Sequence, residues 1–524
     1  MHISQIVFRA AQQRGTAEAI EYQGNVRNWT QTEQRMCAMA GALAQQGLGI
    51  NDKVAILSLN SDVYLESLFA IPHMGGVMVP LNTRWALPEF QYPLSDSDSK
   101  GLLFDSNFIA VVEQLRSEDT AIEHYFYMGA AEDCPAWAQC LESLMQEAEP
   151  LLDSVLADRE LAGIFYTGGT TGYPKGVMQS HVALFTSGLS LAAASNADEN
   201  RTVLHCAPMF HMADLATVFM YSILGSKHVI VPAFEPLAVI DAIAELGVSD
   251  TLMVPAMLQM MLDHPEFDAG KLQGLKALLY GASPMPEGLL RKILTTLPNL
   301  EITQAYGQTE MAPLITILSA EDHRAAIRGD EKSARLLRSA GKSGYSVQIK
   351  TVDEQGKTLP LGSVGEICTR GPNAMSGYWN KPEQTAAALK DNWVHTGDAG
   401  YIDEEGYLFI VDRVKDMIVT GGENVFSSEV ESALSTHPAV AQVAVVGIPH
   451  DDWGEAVHAI VVARPGVACT EADIIAHARE KIAHYKCPKS VSFRDEPLPH
   501  SGAGKVLKRE LRAPYWEGRE RQVN

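Results

Sequence analysis

Residues 166–176 read Tyr-Thr-Gly-Gly-Thr-Thr-Gly-Tyr-Pro-Lys-Gly, and this stretch decides how the rest of the chain is interpreted. Gly168, Gly169, Gly172 and Gly176 let the backbone turn sharply and approach a ligand closely. Between them stand the hydroxyls of Thr167, Thr170 and Thr171 and the single cation of Lys175. Successive N–H groups, hydroxyls and a lysine make a concave anion site, and the expected guest is a polyphosphate. The apolar run over 161–165 predicts a buried strand ahead of the loop. The residues from Val177 to Ser190 predict a helix, or an irregular lead into one, behind it. A Walker-type loop requires Gly-Lys followed directly by Ser or Thr. Here Pro174 precedes the lysine and Gly176 follows it, so the ordinary NTPase reading fails.

Working outward, 524 residues predict roughly two to four folding units with ample core for each. A hydrophobic share of 46% and a charged share of 20% are those of an ordinary soluble globular protein. The net charge of −23 argues against nucleic acid or an anionic membrane as partner, so a phosphate site must be locally basic against the global field. Seven scattered cysteines with no Cys-x-x-Cys pair indicate reduced thiols, hence a cytoplasmic setting. Ile3, Ile6, Val7, Ala10 and Ala11 fall at helical spacing and predict an amphipathic helix packed on the body rather than a secretion signal. The longest apolar stretch, from Leu68 to Leu81, is broken by Pro72 and Gly75-Gly76, and no transmembrane segment is expected.

Thr30-Gln-Thr-Glu33 predicts a capped helix start. Strand-like runs at 53–58, 76–80, 202–207, 228–231, 251–254 and 277–279 alternate with helical patterns, which predicts a parallel α/β sheet. After Gly341 the runs at 346–352, 365–370 and 407–411, separated by glycine-marked turns, predict antiparallel β-structure. A last unit of mixed sheet and two helices follows. The expected architecture is α/β: a large body over 1–412 with a β-rich section, and a small α+β lid over 413–524.

Several strings carry chemistry. Tyr280-Gly281-Ala282-Ser283 and Gln304-Ala-Tyr306-Gly307-Gln-Thr309-Glu310 lie at carboxyl ends of expected strands, where open α/β sheets bind ligands. Tyr306 offers a flat face for adenine and Gln304 can read its exocyclic amine. Thr309 can donate to a phosphate oxygen, and Glu310 is a hard oxygen ligand suited to Mg2+. His211 follows Pro208-Met-Phe; alone it reads as a packed loop residue. Trp393-Val-His-Thr-Gly-Asp398, Asp412-Arg413-Val-Lys415-Asp416 and Val419-Thr-Gly421-Gly422-Glu-Asn follow at close intervals. From Lys505 to the end there are six basic and three acidic residues, a local +3 that could be drawn to phosphate or to the acidic body.

These ordered strings, with the glycine–threonine loop, closely resemble the AMP-forming acid-activating enzymes: acyl- and aryl-CoA synthetases, firefly-type luciferases and peptide-synthetase adenylation domains. The resemblance spans nearly the whole chain. It implies that His211 lies between the acid pocket and the phosphate site, that Asp398 holds the ribose hydroxyls, and that Arg413 supports the same sugar. It implies a hinge at Lys415 and places Gly421 and Gly422 beside a pantetheine tunnel. Lys505, in Pro499-His-Ser-Gly-Ala-Gly-Lys, aligns with the lysine that bridges carboxylate and α-phosphate. Val419 departs from the pattern, standing where some relatives carry lysine.

The implied reaction uses ATP, Mg2+ and coenzyme A. A carboxylic acid attacks the α-phosphate, pyrophosphate leaves, and a thiol then displaces AMP. The expected pocket includes His211, Met212, Tyr280, Gly307 and Met311, with no lysine or arginine to pair a second carboxylate. Gly307 lies where acetyl-specific relatives carry a bulky aromatic, which implies depth for a longer tail. The expected substrate is an apolar fatty or branched-chain acid. An aromatic or methylthio-alkanoic acid, or a carrier protein in place of coenzyme A, is the alternative, and a nucleotide-binding regulator without turnover is the reading from another class. A homodimer is left open.

Overall fold

The computed structural model describes residues 2–117, 121–154, 161–167, 174–283, 285–329, 331–413, 416–420, 423–450, 453–500 and 506–517. Two compact units emerge, one of 1–348 with 369–394 and one of 349–368 with 395–524.

The first unit is built on two mixed sheets. In the nine-stranded sheet, Glu301–Tyr306, Ala277–Gly281, Asp250–Leu252, Thr202–His205, Lys227–Ile230 and Glu18–Tyr22 run parallel in that spatial order. Antiparallel strands close both edges. In the eight-stranded sheet Leu161–Thr167, Val77–Pro80, Lys53–Leu57, Ser99–Phe104 and His124–Tyr127 are parallel neighbours. The strands foreseen as apolar runs form within a few residues of their expected places, because strands covered on both faces read as continuous Val/Ile/Leu. One core cluster joins Ile20 and Ile230 of the first sheet, Val54, Ile56 and Met78 of the second, and the helices Asp62–His73 and Met212–Leu224. Phe69 and Phe219 meet edge to face across those two helices at 5.7 Å. Both helices are buried nearly all round, and their few polar groups are paired inside, as Glu66 is with Arg27 and Arg35 and Asp214 with His205. Trp29–Gln45 is helical, but its cap is Asn28 with Gln31 rather than Thr30 with Glu33. The Asn28 oxygen already takes the Gln31 N–H, and Gln31 returns a bond to the Asn28 N–H.

The correction with most bearing on function follows the glycine–threonine loop. Lys175–Ser180 is a strand, paired antiparallel with Leu161–Thr167 so that Thr167 opposes Lys175. The helix begins only at His181, capped by Ser180. The loop therefore joins two strands and does not open a helix.

In the second unit, Ile418–Thr420, Gly454–Ala463, Val440–His450 and Ser490–Arg494 share a sheet with Glu423–Val425. Val440–His450 obeys the two-residue period: Val443 and Val445 pack with the helices Ser427–Ser435 and Glu471–Lys481, while Ala444 and Val446 face Leu511. Leu511 belongs to a third helix, Lys508–Trp516, that sequence reading left as a basic tail. Its cations are engaged internally: Lys508 pairs with Glu431 at 2.7 Å and Arg512 with the buried Glu455. The local positive charge is thus partly cancelled within the unit.

Candidate active site

In the first unit the expected nucleotide residues come from neighbouring strand ends. Gly281 is in register with Ala305, and Tyr280 with Gln304, so the Gly281-Ala282-Ser283 turn and the Tyr306–Glu310 segment leave the sheet side by side. Ala282 has φ of 64°, a left-handed conformation that costs a non-glycine residue about 1–2 kcal/mol. The Tyr280 ring is buried, and its hydroxyl donates to His323 Nε2 at 2.9 Å. Burial brings His323 down to about 4, so the imidazole is neutral, with Nδ1–H given to the Ser319 carbonyl. Gln304, expected to face adenine, places its Oε1 3.4 Å from the same hydroxyl oxygen, whose one proton is committed to His323.

His211 caps the helix Met212–Leu224, its Nδ1 accepting the Ala213 N–H at 3.3 Å. That bond leaves the ring proton on Nε2. Asp214, one turn on, is fully buried and bonds His205 Nδ1 at 3.0 Å; His205 in turn bonds His228 at 2.9 Å. The start of this helix is thereby fixed to two parallel strands. Met212 and Met311 are both buried.

Gly307 has a structural reason of its own. A Cβ there would sit 1.5 Å from the Pro313 carbonyl oxygen, because the chain after Glu310 folds back over it. The glycine is demanded by this turn, and its missing side chain does not by itself measure pocket depth.

Lys175 and Glu310 are brought to one place by a segment that sequence reading passed over. Tyr378 is buried; its hydroxyl donates to Glu310 Oε1 at 2.8 Å, and the Lys175 ammonium lies 4.7 Å from its ring centroid. Gly377–Tyr378 pairs antiparallel with Met178 and Val177, the Trp379 N–H donates to the Gly176 carbonyl, and the Met375 N–H donates to the Glu310 carbonyl at 2.8 Å. The base of the loop is anchored as well, Tyr166 donating to Asp96 Oδ2 at 2.8 Å. The one sequence cue was an aromatic pair directly after a glycine in Gly377-Tyr-Trp379. Gly168, Gly169, Thr170 and Thr171 lie outside the described residues.

The donor set fits the groups it would hold. Lys175 with the hydroxyls of Thr167 and Thr309 suits phosphate oxygens. A single carboxylate, Glu310, is what Mg2+ commonly takes from protein when phosphates supply further ligands.

In the second unit Asp398 and Arg413 are register partners across the strands Trp393–Ile402 and Leu408–Arg413. The Asp398 turn is set by its neighbours: its N–H goes to Thr396 Oγ1 at 3.1 Å, the Thr396 hydroxyl donates to the Ile367 carbonyl at 2.8 Å, and Glu366 Oε1 accepts the Gly397 N–H at 3.2 Å. Glu366 Oε2 also meets His395 Nδ1 at 2.7 Å, with Cys368 Sγ 3.5 Å from the same nitrogen. These three could in principle grip a metal, but the carboxylate–imidazole distance is that of a hydrogen bond. Asp412 accepts from Ser427 at 2.7 Å and so anchors the next helix. Lys415, Gly421, Gly422 and Lys505 lie outside the described residues.

A lysine and a hard carboxylate held by one tyrosine, with the residues expected to meet adenine at adjacent strand ends, fit a nucleotide-dependent, acid-activating class of enzyme. The AMP-binding enzyme family profile matches residues 7–379, and that of the AMP-binding enzyme C-terminal domain matches 429–505. The chain belongs to the AMP-binding enzyme family. It is 36% identical to a fatty acid–[acyl-carrier-protein] ligase of Streptomyces coeruleorubidus, over 98% of this chain and 96% of the other. It is 35% identical to a feruloyl-CoA synthase of an Amycolatopsis species, over 97% and 98%. Among solved structures, ATP-bound MatB of Rhodopseudomonas palustris superposes with a TM-score of 0.87 at 28% identity, covering 99% of both chains.

Proposed function

We propose that the protein ligates an apolar monocarboxylic acid, fatty or branched-chain, to coenzyme A through an acyl-adenylate, releasing pyrophosphate and then AMP. The observation that carries this is the convergence of Lys175 and Glu310 on Tyr378: a cation for phosphate and a hard anion for metal, held by one buried side chain.

A carboxylate is a poor acyl donor, because its resonance must be broken and oxide is a bad leaving group. Lys175 and Thr309 orient the phosphates, and Gln304 and Tyr306 orient the base, so that the acid oxygen lies in line with the α-phosphorus. His211 presents Nε2–H toward the acid. Glu310 would hold Mg2+, which would supply charge neutralisation at the phosphates. Lys505, on a lid turning at Lys415, supplies the cation that stabilises charge developing between carboxylate and α-phosphate. Asp398 and Arg413 hold the ribose. For the second half-reaction Lys505 withdraws and the thiol enters beside Gly421 and Gly422.

The absence of lysine or arginine among the candidate pocket residues supports an apolar acid. Similarity to a feruloyl-CoA synthase favours an aryl acid as the second reading, and similarity to a carrier-protein ligase keeps that acceptor in view. The setting proposed is cytoplasmic; among the described residues no helix is long and apolar enough to cross a membrane. The test is pyrophosphate release across acetate, hexanoate, longer fatty acids, ferulate and dicarboxylates, each with coenzyme A or a phosphopantetheinylated carrier protein. Faster turnover with acetate than with hexanoate, or a preference for dicarboxylates, overturns the substrate reading. Lys505→Ala should cripple adenylate formation and spare thioester formation from supplied adenylate; equal loss of both rejects the two-state lid.

A further inference from the structure

We propose that Tyr378 is a positioning residue that keeps Lys175 and Glu310 apart as two separate charged poles, one for the nucleotide phosphates and one for the metal. A lysine and a glutamate close together in a half-buried site attract strongly, and a direct pair would compete with both ligands. Here the ammonium rests on the ring face while the carboxylate takes the hydroxyl proton. One side chain thus satisfies both charges weakly enough to be displaced.

The backbone makes the arrangement rigid. Tyr378 pairs with Val177 in the strand that carries Lys175, and its own N–H is bonded to Thr385 Oγ1 at 2.9 Å. Three residues earlier Met375 is bonded to the backbone of Glu310, and Asn373 Nδ2 donates at 2.7 Å to the Met311 and Leu314 carbonyls. The segment over 373–379 is therefore hydrogen-bonded both to the strand leaving the phosphate loop and to the turn bearing the carboxylate. Movement of either ligand group is felt by the other through Tyr378.

This inference rests on the reading of Glu310 as the metal ligand, and its test separates the two. ATP binding to the full-length protein is measured by calorimetry without acid or thiol, once with Mg2+ and once with EDTA. The ratio of the two dissociation constants is the factor by which metal tightens ATP binding. Tyr378→Phe keeps the ring and removes the hydroxyl: that factor should change about tenfold, as expected for loss of one charge-assisted hydrogen bond, with metal-free affinity as in the wild type. Tyr378→Leu also removes the ring face: metal-free ATP affinity should change by a further factor of about five, the size of a cation–π contact. Glu310→Gln should abolish the metal factor. If Glu310→Gln leaves that factor unchanged, the metal assignment itself fails. If Glu310→Gln abolishes it and Tyr378→Phe matches wild type, the assignment stands and the role of Tyr378 is refuted. Equal metal-free affinities for the Phe and Leu variants would refute the Lys175 half. Should the Leu variant not fold, the Phe variant still decides the Glu310 half.

Discussion

Replacing Gly307 with alanine distinguishes a glycine kept for pocket depth from one kept for backbone approach. The added Cβ would lie 1.5 Å from the Pro313 oxygen, 2.6 Å from its carbonyl carbon and 3.1 Å from the Ile315 nitrogen. Ordinary contact begins near 3.4 Å, so the carbonyl must retreat by about 2 Å. It is not free to do so. The Ile315 N–H is bonded to the Tyr306 carbonyl at 2.8 Å, and Asn373 grips Met311 and Leu314 on either side. Overpacking of this kind costs about 1–3 kcal/mol. Loss of one of the buried bonds adds about 1–3 kcal/mol. The expected destabilisation is therefore about 2–6 kcal/mol, at or above the size of a typical single substitution.

The assay pairs thermal unfolding with kcat/KM for acetate, hexanoate and decanoate. Distortion of the turn displaces Thr309 and Glu310, which in the proposed mechanism serve every acid alike, so kcat/KM should fall by a similar factor for all three as Tm falls. A pocket-depth role predicts the opposite pattern: unchanged Tm and a selective loss of the longest acid. That second result, for alanine or a larger residue at this position, would refute the argument from the turn.

Two further outcomes follow from other parts of the molecule. His2 and His181 pack ring to ring at 4.1 Å, tilted by 33°, beside Ser4 and His73, and burial brings them down to about 4 and about 3. Folded values below the ordinary 6.5 mean that stability is full above pH 6.5 and falls toward pH 4, by at most about 1.4 kcal/mol per pH unit for each histidine. Thermal unfolding from pH 7 to 4.5 should show that slope, and His181→Asn, which keeps an acceptor for the Ile3 N–H, should flatten it. In the second unit, Glu366→Ala leaves the Gly397 N–H and His395 without their acceptor, at about 1–3 kcal/mol. If Asp398 holds the ribose, KM for ATP should rise about tenfold while KM for the acid is unchanged; equal changes in both would point to general loss of structure.

What could be read from the residues and what could not divides along a physical line. Buried parallel strands such as Lys53–Leu57 and Val77–Pro80 announce themselves as apolar runs, since both faces are covered. The short strand Glu18–Tyr22, one in from the sheet edge, fully buries only Ala19 and Ile20 and carries no such signal. Lys175–Ser180 was missed because it runs without a break into the apolar helix at His181, and periodicity cannot divide a short apolar strand from a helix that follows it. Lys508–Trp516 reads as a basic tail with a choice of phosphate or acidic protein surface, because its partners, Glu431 and Glu455, lie in distant sequence. Tyr378 was invisible for the same reason. Its two partners are about 200 and 70 residues away, and only the pairing of its strand with Lys175–Ser180 brings the three together.

The strand after the loop also changes what makes the anion site work. With a helix starting there, part of the positive potential would come from the helix dipole. Instead the helix starts at the far end of a six-residue strand, about 20 Å from Lys175 at the usual rise per residue. A dipole's influence fades within a turn, so the helix contributes nothing at the loop. In a chain of net charge −23, the proposed phosphate site then has to draw its anion without that dipole, and Lys175 is the one cation in the loop sequence. A site with so little fixed positive potential has reason to keep its lysine off a neighbouring glutamate, and a buried aromatic face does that without neutralising the charge.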